Sequence, residues 1–196
     1  MLVMNLRTKS FKQSLRTHFK SKRIGLKKRE CESSNEGIRK HLIGWDVFKQ
    51  AEIVHSYISI AKHREVDTHE IIKYCLAQGK KTVVPIMEAN RQLRHSYLLD
   101  VNEVKENDWG VPEPVSEIKA NLQLLDLVLV PLLALDKHGT RLGYGVGYYD
   151  GFLSEIPHST LKIGLLADGF NVCSLPKDPW DVALDGFISE KGIHLL

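Results

Sequence analysis

Apolar positions along the chain change rhythm several times, and each rhythm predicts an element. Phe11, Leu15 and Phe19 recur at four-residue steps, which predicts a helix docking one apolar stripe on a core. Ser33 or Ser34, with Glu36 or Gly37 behind it, marks the start of a second helix running to about Gln50, with Ile38, Leu42, Trp45 and Phe48 as its buried positions. Residues 52–60, EIVHSYISI, alternate and are rich in β-branched side chains, the pattern of a first strand. Residues 67–78 predict a helix capped at Asp67 and ended by Gly79, and residues 81–86 a second strand. Strand, helix and strand in so short a span form a βαβ unit, whose crossover is expected to be right-handed.

The second half repeats the alternation. Residues 88–115 are polar and turn-rich, with Leu93–Leu98 a candidate edge strand and WGVPEP at residues 109–114 an irregular loop. Residues 126–131, DLVLVP, form a continuous apolar run of the kind found in parallel strands covered on both faces. A helix starting at Tyr144 or Gly147 runs to about Leu153, residues 161–166 form another buried strand, and Phe187 with Ile188 a short one. The pattern predicts an α/β protein, a three-layer αβα sandwich with a mostly parallel sheet, in one domain over residues 1–196.

Composition is ordinary for one full core: 196 residues, 43% hydrophobic and 26% charged. No apolar run approaches the roughly 18 residues a membrane helix needs. Cys31, Cys75 and Cys173 lie far apart, so no disulfide framework or zinc knuckle is indicated and a reducing, cytoplasmic setting is expected. Charge changes the picture more, because ten of the 27 basic residues fall between Arg7 and Arg29 and no acidic residue precedes Glu30. Such a start reads as a transit peptide, a nucleic-acid or membrane patch, or a solvated helix lending cations to an anionic ligand. The apolar stripe favours the third: residues 1–29 as a basic helix packed on the domain.

The chemistry gathers in GTRLGYGVGYYD, residues 139–150. Alternating Gly143, Gly145 and Gly147 let peptide N–H groups turn toward one anion, and a helix start behind them adds its positive dipole end. Arg141 supplies a planar charged fork suited to phosphate. Asp150 supplies a hard oxygen suited to Mg²⁺. The motif is neither a Walker A loop nor GxGxxG. Taken alone it is either an anion-binding turn of undefined cargo or a tight turn with Tyr148 and Tyr149 in the core.

The longer segment DLVLVPLLALDKHGTRLGYGVGYYDGFL resembles the signature of the 5-formyltetrahydrofolate cyclo-ligase family. KQSLR at residues 12–16, EVDT at residues 65–68, WGVPEP and the tail LPKDPWDVALDGFI resemble further family elements in the same order. The resemblance implies a Rossmann-like fold and the MgATP-dependent conversion of 5-formyltetrahydrofolate into 5,10-methenyltetrahydrofolate. It implies ATP contacts from Lys12, Arg16, Arg141, Leu142, Gly143, Tyr144, Gly145, Val146, Gly147, Tyr148 and Tyr149, with Arg141 the catalytic residue. Asp150 and Asp181 are the implied Mg²⁺ ligands, with Asp178 and Asp185 near enough to exchange with Asp181. Ile58, Glu65, Trp109, Tyr144 and Tyr148 match the folate positions, and Ile60 competes with Ile58. Val146 stands where many members carry glycine or lysine, and Gly151 replaces a common basic residue. The expected partners are ATP and 5-formyltetrahydrofolate, with no nucleic acid or membrane, in a monomer or weak homodimer.

A sugar-phosphate isomerase or acyl-CoA-type transferase would share the fold without using ATP. A nucleic-acid module built on the basic start would bind with steep salt dependence.

Overall fold

The computed structural model describes residues 2–196, with side chains from Lys9 onward. Two helices, α1 (Leu2–Gly25) and α2 (Lys28–Gly44), and a short α3 (Asp46–Gln50) lead into β1 (Ile53–His55). Then come α4 (His69–Ala77), β2 (Lys81–Met87), β3 (Leu93–Leu98), and a small hairpin of β4 (Val104–Glu106) and β5 (Pro112–Pro114). After β6 (Leu127–Val130) follow β7 (Ala134–Asp136), β8 (Arg141–Leu142), α5 (Tyr148–Glu155) and β9 (Leu161–Leu165). The chain ends with β10 (Asn171–Val172), β11 (Gly186–Ser189) and β12 (Gly192–Leu195).

The main sheet has the order β12-β11-β9-β6-β1-β2-β3. Its five inner strands are parallel, and β12 and β3 close the two edges antiparallel. Alternation along β6 explains the layering. Leu127 and Leu129 point into a core with Ile38 and Leu42 of α2, Phe48 of α3 and Ile71 of α4. Val128 and Val130 point the other way, into a core with Phe19 of α1 and Phe152 and Leu153 of α5. With helices on both faces, the sheet is the middle of the predicted three-layer α/β sandwich. Each fully buried aliphatic side chain contributes about 1.5–3 kcal/mol.

Sheet order also locates the site. From β1 the chain moves outward one way through β2 to β3, then returns to β6 on the other side of β1 and moves outward through β9 to β11. Ligands in open α/β sheets bind beyond the carboxyl ends of strands at such a reversal. Here that place lies beyond His55 and Val130.

Several elements depart from the pattern-based expectation. Helix α2 begins at Lys28, because Glu30 reaches back to accept from the Lys27 N–H at 2.6 Å, and it breaks at the extended, half-buried Trp45 before α3. The basic segment 1–29 therefore spans α1 and the start of α2. Strand β1 stops at His55; in residues 56–60, Tyr57 O and Ser59 N bond to the Thr68 hydroxyl instead of a neighbouring strand. Within WGVPEP, Pro112–Pro114 is a strand paired with Val104–Glu106, not an irregular loop. On α1, Phe19 is buried and Leu15 partly so, but Phe11 is 56% exposed while Lys12 is only 6% exposed. The docking face carries Lys12, Arg16, Phe19 and Arg23, spaced i, i+4, i+7 and i+11. Carboxylates opposite Lys12 make burial of that cation favourable and turn Phe11 to solvent.

Candidate active site

The turn before the glycine loop is held by a buried carboxylate. Asp136 Oδ1 accepts from the N–H groups of His138 and Thr140, each at 2.9 Å, and its Oδ2 accepts from Leu175 N–H at 2.9 Å. This delivers Arg141 onto β8, paired with β7. Two of the following glycines need their freedom: φ is +101° at Gly145 and +92° at Gly147, the N-cap residue just before α5. A Cβ on Gly145 would also lie 3.0 Å from the Arg16 guanidinium. Arg16 grips the loop directly, its Nε donating to the Gly143 carbonyl at 3.0 Å.

Arg141 lies beneath the loop with its side chain 4% exposed. Its Nη1 donates to the Val182 carbonyl at 2.7 Å and its Nη2 to Asp150 Oδ1 at 2.5 Å. Burial draws its pKa down, opposed by the charges of Asp150 and Asp181. Lys12 enters from α1 and donates to Asp178 Oδ2 and Asp181 Oδ2, both at 2.7 Å. Asp185 bonds Lys162 on β9 instead, so Asp178 and Asp181 are the tail carboxylates at the cleft. Three side chains missed as a group in the sequence thus meet: Lys12, Asp178 and Asp181. The signal was DPWD, whose two carboxylates lie three residues apart.

These groups line an open cleft of about 820 Å³, within the usual range for small-molecule sites. Its second wall comes from the ends of β1 and β2. Ile58 and Ile60 both line it, together with Pro85 and Met87. Glu65 accepts from the Ile60 N–H at 2.7 Å through Oε2 and from the Tyr144 hydroxyl through Oε1. Tyr148 donates to the Glu88 carbonyl at 2.9 Å, tying the start of α5 to the strand-end wall. Burial, then the Glu65 charge, pushes the Tyr144 and Tyr149 hydroxyls up, so both stay protonated. Leu142 forms part of the buried floor, and Val146 stands exposed on the loop. Trp109 is not brought in: it is 56% exposed on the β4–β5 turn, and its neighbours Val111 and Pro112 reach the cleft instead.

Below the loop, His55 Nε2 lies 3.1 Å from His95 Nδ1, and Phe152 packs on both rings. Forty residues separate the pair in sequence, and only the antiparallel return of β3 brings them together. Burial depresses both, His95 to about 4.

Some carboxylate oxygens stay free for a metal. Among the described residues, Asp150 Oδ2 and the Oδ1 atoms of Asp178 and Asp181 accept no hydrogen bond. No group of three or more such side chains forms a metal cage among the described residues. That donor set fits Mg²⁺, which is commonly held by one or two carboxylates plus substrate phosphates.

Glycine loop, helix start, cations and open carboxylates at a sheet reversal define a Rossmann-like α/β protein with a cleft whose chemistry suits an anionic ligand. The sequence profile of the 5-formyltetrahydrofolate cyclo-ligase family matches residues 8–190. The chain belongs to that family, whose activity is the ATP-dependent cyclisation of 5-formyltetrahydrofolate. It is 29% identical over 178 residues to the 5-formyltetrahydrofolate cyclo-ligase of Haemophilus influenzae, an alignment covering 88% of this chain and 94% of the relative. The fold is similar to that of Aquifex aeolicus 5,10-methenyltetrahydrofolate synthetase, with a TM-score of 0.82, 29% identity, and coverage of 94% and 92%. It also shares the fold of a Mycoplasma pneumoniae 5,10-methenyltetrahydrofolate synthetase, at a TM-score of 0.74, 23% identity, and coverage of 91% and 98%. No helix among the described residues is long and apolar enough to cross a membrane.

Proposed function

We propose that this chain converts 5-formyltetrahydrofolate and ATP into 5,10-methenyltetrahydrofolate, ADP and phosphate in the cleft between the glycine loop and Glu65. One observation carries the reading: the phosphate-type loop and the folate-side carboxylate are joined through Tyr144, so two substrates share one site. ATP phosphates lie against the loop N–H groups from Leu142 to Tyr149, with Lys12 and Arg16 at their flank. Arg141 has five N–H donors; two hold Asp150 and Val182, and the remainder serve the transferring phosphoryl group. Asp150 and Asp181 hold Mg²⁺, which when bound neutralises charge on the phosphates. Ile58, Glu65, Tyr144 and Tyr148 receive the pterin, and Trp109 joins only if its hairpin moves.

The N5-formyl oxygen attacks the γ-phosphoryl group, and ADP leaves. N10 then closes on the formyl carbon, loses its proton, and phosphate departs with the former formyl oxygen. The protein contributes positioning and charge stabilisation. The same reading makes residues 1–196 one domain, a monomer or weak homodimer, working in the cytoplasm without a nucleic-acid partner. The test mixes protein, MgATP and 5-formyltetrahydrofolate and follows methenyltetrahydrofolate absorbance. Product in the presence of ATP and none without it is expected; absence of ATP-dependent product overturns the reading.

A further inference from the structure

We propose that Arg23 is a positioning residue for this reaction, fixing the Tyr144 hydroxyl as a donor to Glu65 and so locking the glycine loop to the carboxylate that receives the pterin. The inference rests on the reading of the cleft given above. Arg23 lies outside KQSLR, two helical turns beyond Arg16 on the same face of α1. Its Nη2 donates to the Tyr144 hydroxyl oxygen at 2.5 Å, and its Nη1 to the Leu132 carbonyl at 3.3 Å, just past β6. Its guanidinium carbon lies 5.4 Å from the centre of the Tyr144 ring.

The direction of the network follows from donor arithmetic. A guanidinium only donates, and a neutral tyrosine has one proton to give. With Arg23 donating onto its oxygen, Tyr144 directs that proton to Glu65 Oε1. Glu65 Oε2 takes the Ile60 N–H, so the carboxylate is fixed from both sides and keeps lone pairs for pterin N–H groups. Burial keeps Tyr144 protonated, which the relay requires. Tyr144 also sits in the loop beside Gly143, whose carbonyl Arg16 holds. Arg16 therefore grips the loop backbone while Arg23 sets the loop side chain that reaches Glu65. Loss of Arg23 leaves the hydroxyl free to rotate and Glu65 fixed from the Ile60 side alone.

A purely structural Arg23, strapping α1 to Leu132, would lower stability without acting through Tyr144. Steady-state kinetics on the full chain separate the two. Arg23→Met and Tyr144→Phe are each expected to raise KM for 5-formyltetrahydrofolate about tenfold, as loss of a charge-assisted hydrogen bond does, with KM for ATP within about twofold of wild type. The double variant is expected to be no worse than either single one, because one relay is broken once. An unchanged folate KM in Arg23→Met, or effects that multiply in the double variant, overturns the relay. If Arg23→Met does not fold, Arg23→Lys replaces it in the same cycle: it should raise folate KM where Tyr144 is intact and change nothing in the Tyr144→Phe background, whose ring carries no hydroxyl. Equal effects in both backgrounds overturn the relay. Wild-type protein that makes no methenyl product overturns the cleft reading and this inference with it.

Discussion

Replacing Arg141 by alanine is expected to cost about 4 kcal/mol of folding stability as well as turnover. Its side chain is 4% exposed and donates to the Val182 carbonyl and to Asp150. Loss of the fork leaves a carbonyl without its donor, at about 1–3 kcal/mol, and empties the space of two methylenes, at about 0.8 kcal/mol each. It also leaves Asp150 without its counter-charge. A fully buried pair broken this way costs about 3–5 kcal/mol. The Asp150 side chain is 25% exposed, so solvent takes over most of that and on the order of 1 kcal/mol is left. At about 2–4 °C per kcal/mol for a chain of this size, Tm should fall by about 8–16 °C. Thermal and urea melts without nucleotide measure this, with kcat/KM taken at a temperature where both proteins are folded. A fork held free for phosphate would instead give a loss of turnover far larger than any effect on folding. An Arg141→Ala protein with a wild-type Tm and no turnover would restore that picture and refute the buried pairing.

Three other outcomes follow from the geometry. His55 and His95 are depressed by burial, so their contribution to stability is full above pH about 6.5 and is lost progressively as pH falls below it; His95, at about 4, alone removes about 2 kcal/mol at pH 5, and a urea midpoint that is the same at pH 7.5 and pH 5 contradicts this. Gly145→Ala combines a φ of +101° with a Cβ 3.0 Å from Arg16 and should raise KM for ATP about tenfold through strain on the order of 1–2 kcal/mol, whereas Gly143→Ala, with open space around its Cβ, should change it little. Lys12→Met leaves Asp178 and Asp181 without their shared cation; MgCl2 should then raise Tm more than in wild type, and equal increments would show that the metal does not reach these carboxylates.

Much of the architecture was legible because single elements carried their own signal. DLVLVP announces a strand with two buried faces, and β6 is the hinge of the whole topology. Gly79 ends α4 at a φ of +72°, a conformation glycine adopts freely. The elements that escaped notice, β4, β5, β7, β8, β10 and β12, have two to four residues each, too few to show a period. The face of α1 was misjudged for a different reason. Periodicity ranks Phe11 above Lys12, yet burial of the lysine depends on two carboxylates more than 160 residues away. The His55 and His95 pair and the Tyr144 to Glu65 bond are likewise products of strand order, invisible to local spacing. Trp109 shows the converse: a motif match fixed its chain position, and the fold put it on the rim of a hairpin.

The charges at the glycine loop make sense only together with a ligand. Lys12 and Arg141 bring two positive charges to Asp150, Asp178 and Asp181, which bring three negative ones. Buried ion pairs of this kind are weak sources of stability, and apolar replacements of similar volume often do as well or better. A cluster built for folding alone would have no reason to keep an excess carboxylate beside a loop shaped for anions. The excess has a use if a divalent cation arrives with the phosphates: each carboxylate keeps an oxygen free of protein donors, and the cation reconciles those oxygens with the incoming anion. Arg16 differs, donating its Nε to a neutral carbonyl, so among the described residues no carboxylate bond offsets its charge. The same helix face thus divides its cations by partner. Lys12 answers carboxylates, Arg16 the loop backbone, and Arg23 the Tyr144 hydroxyl.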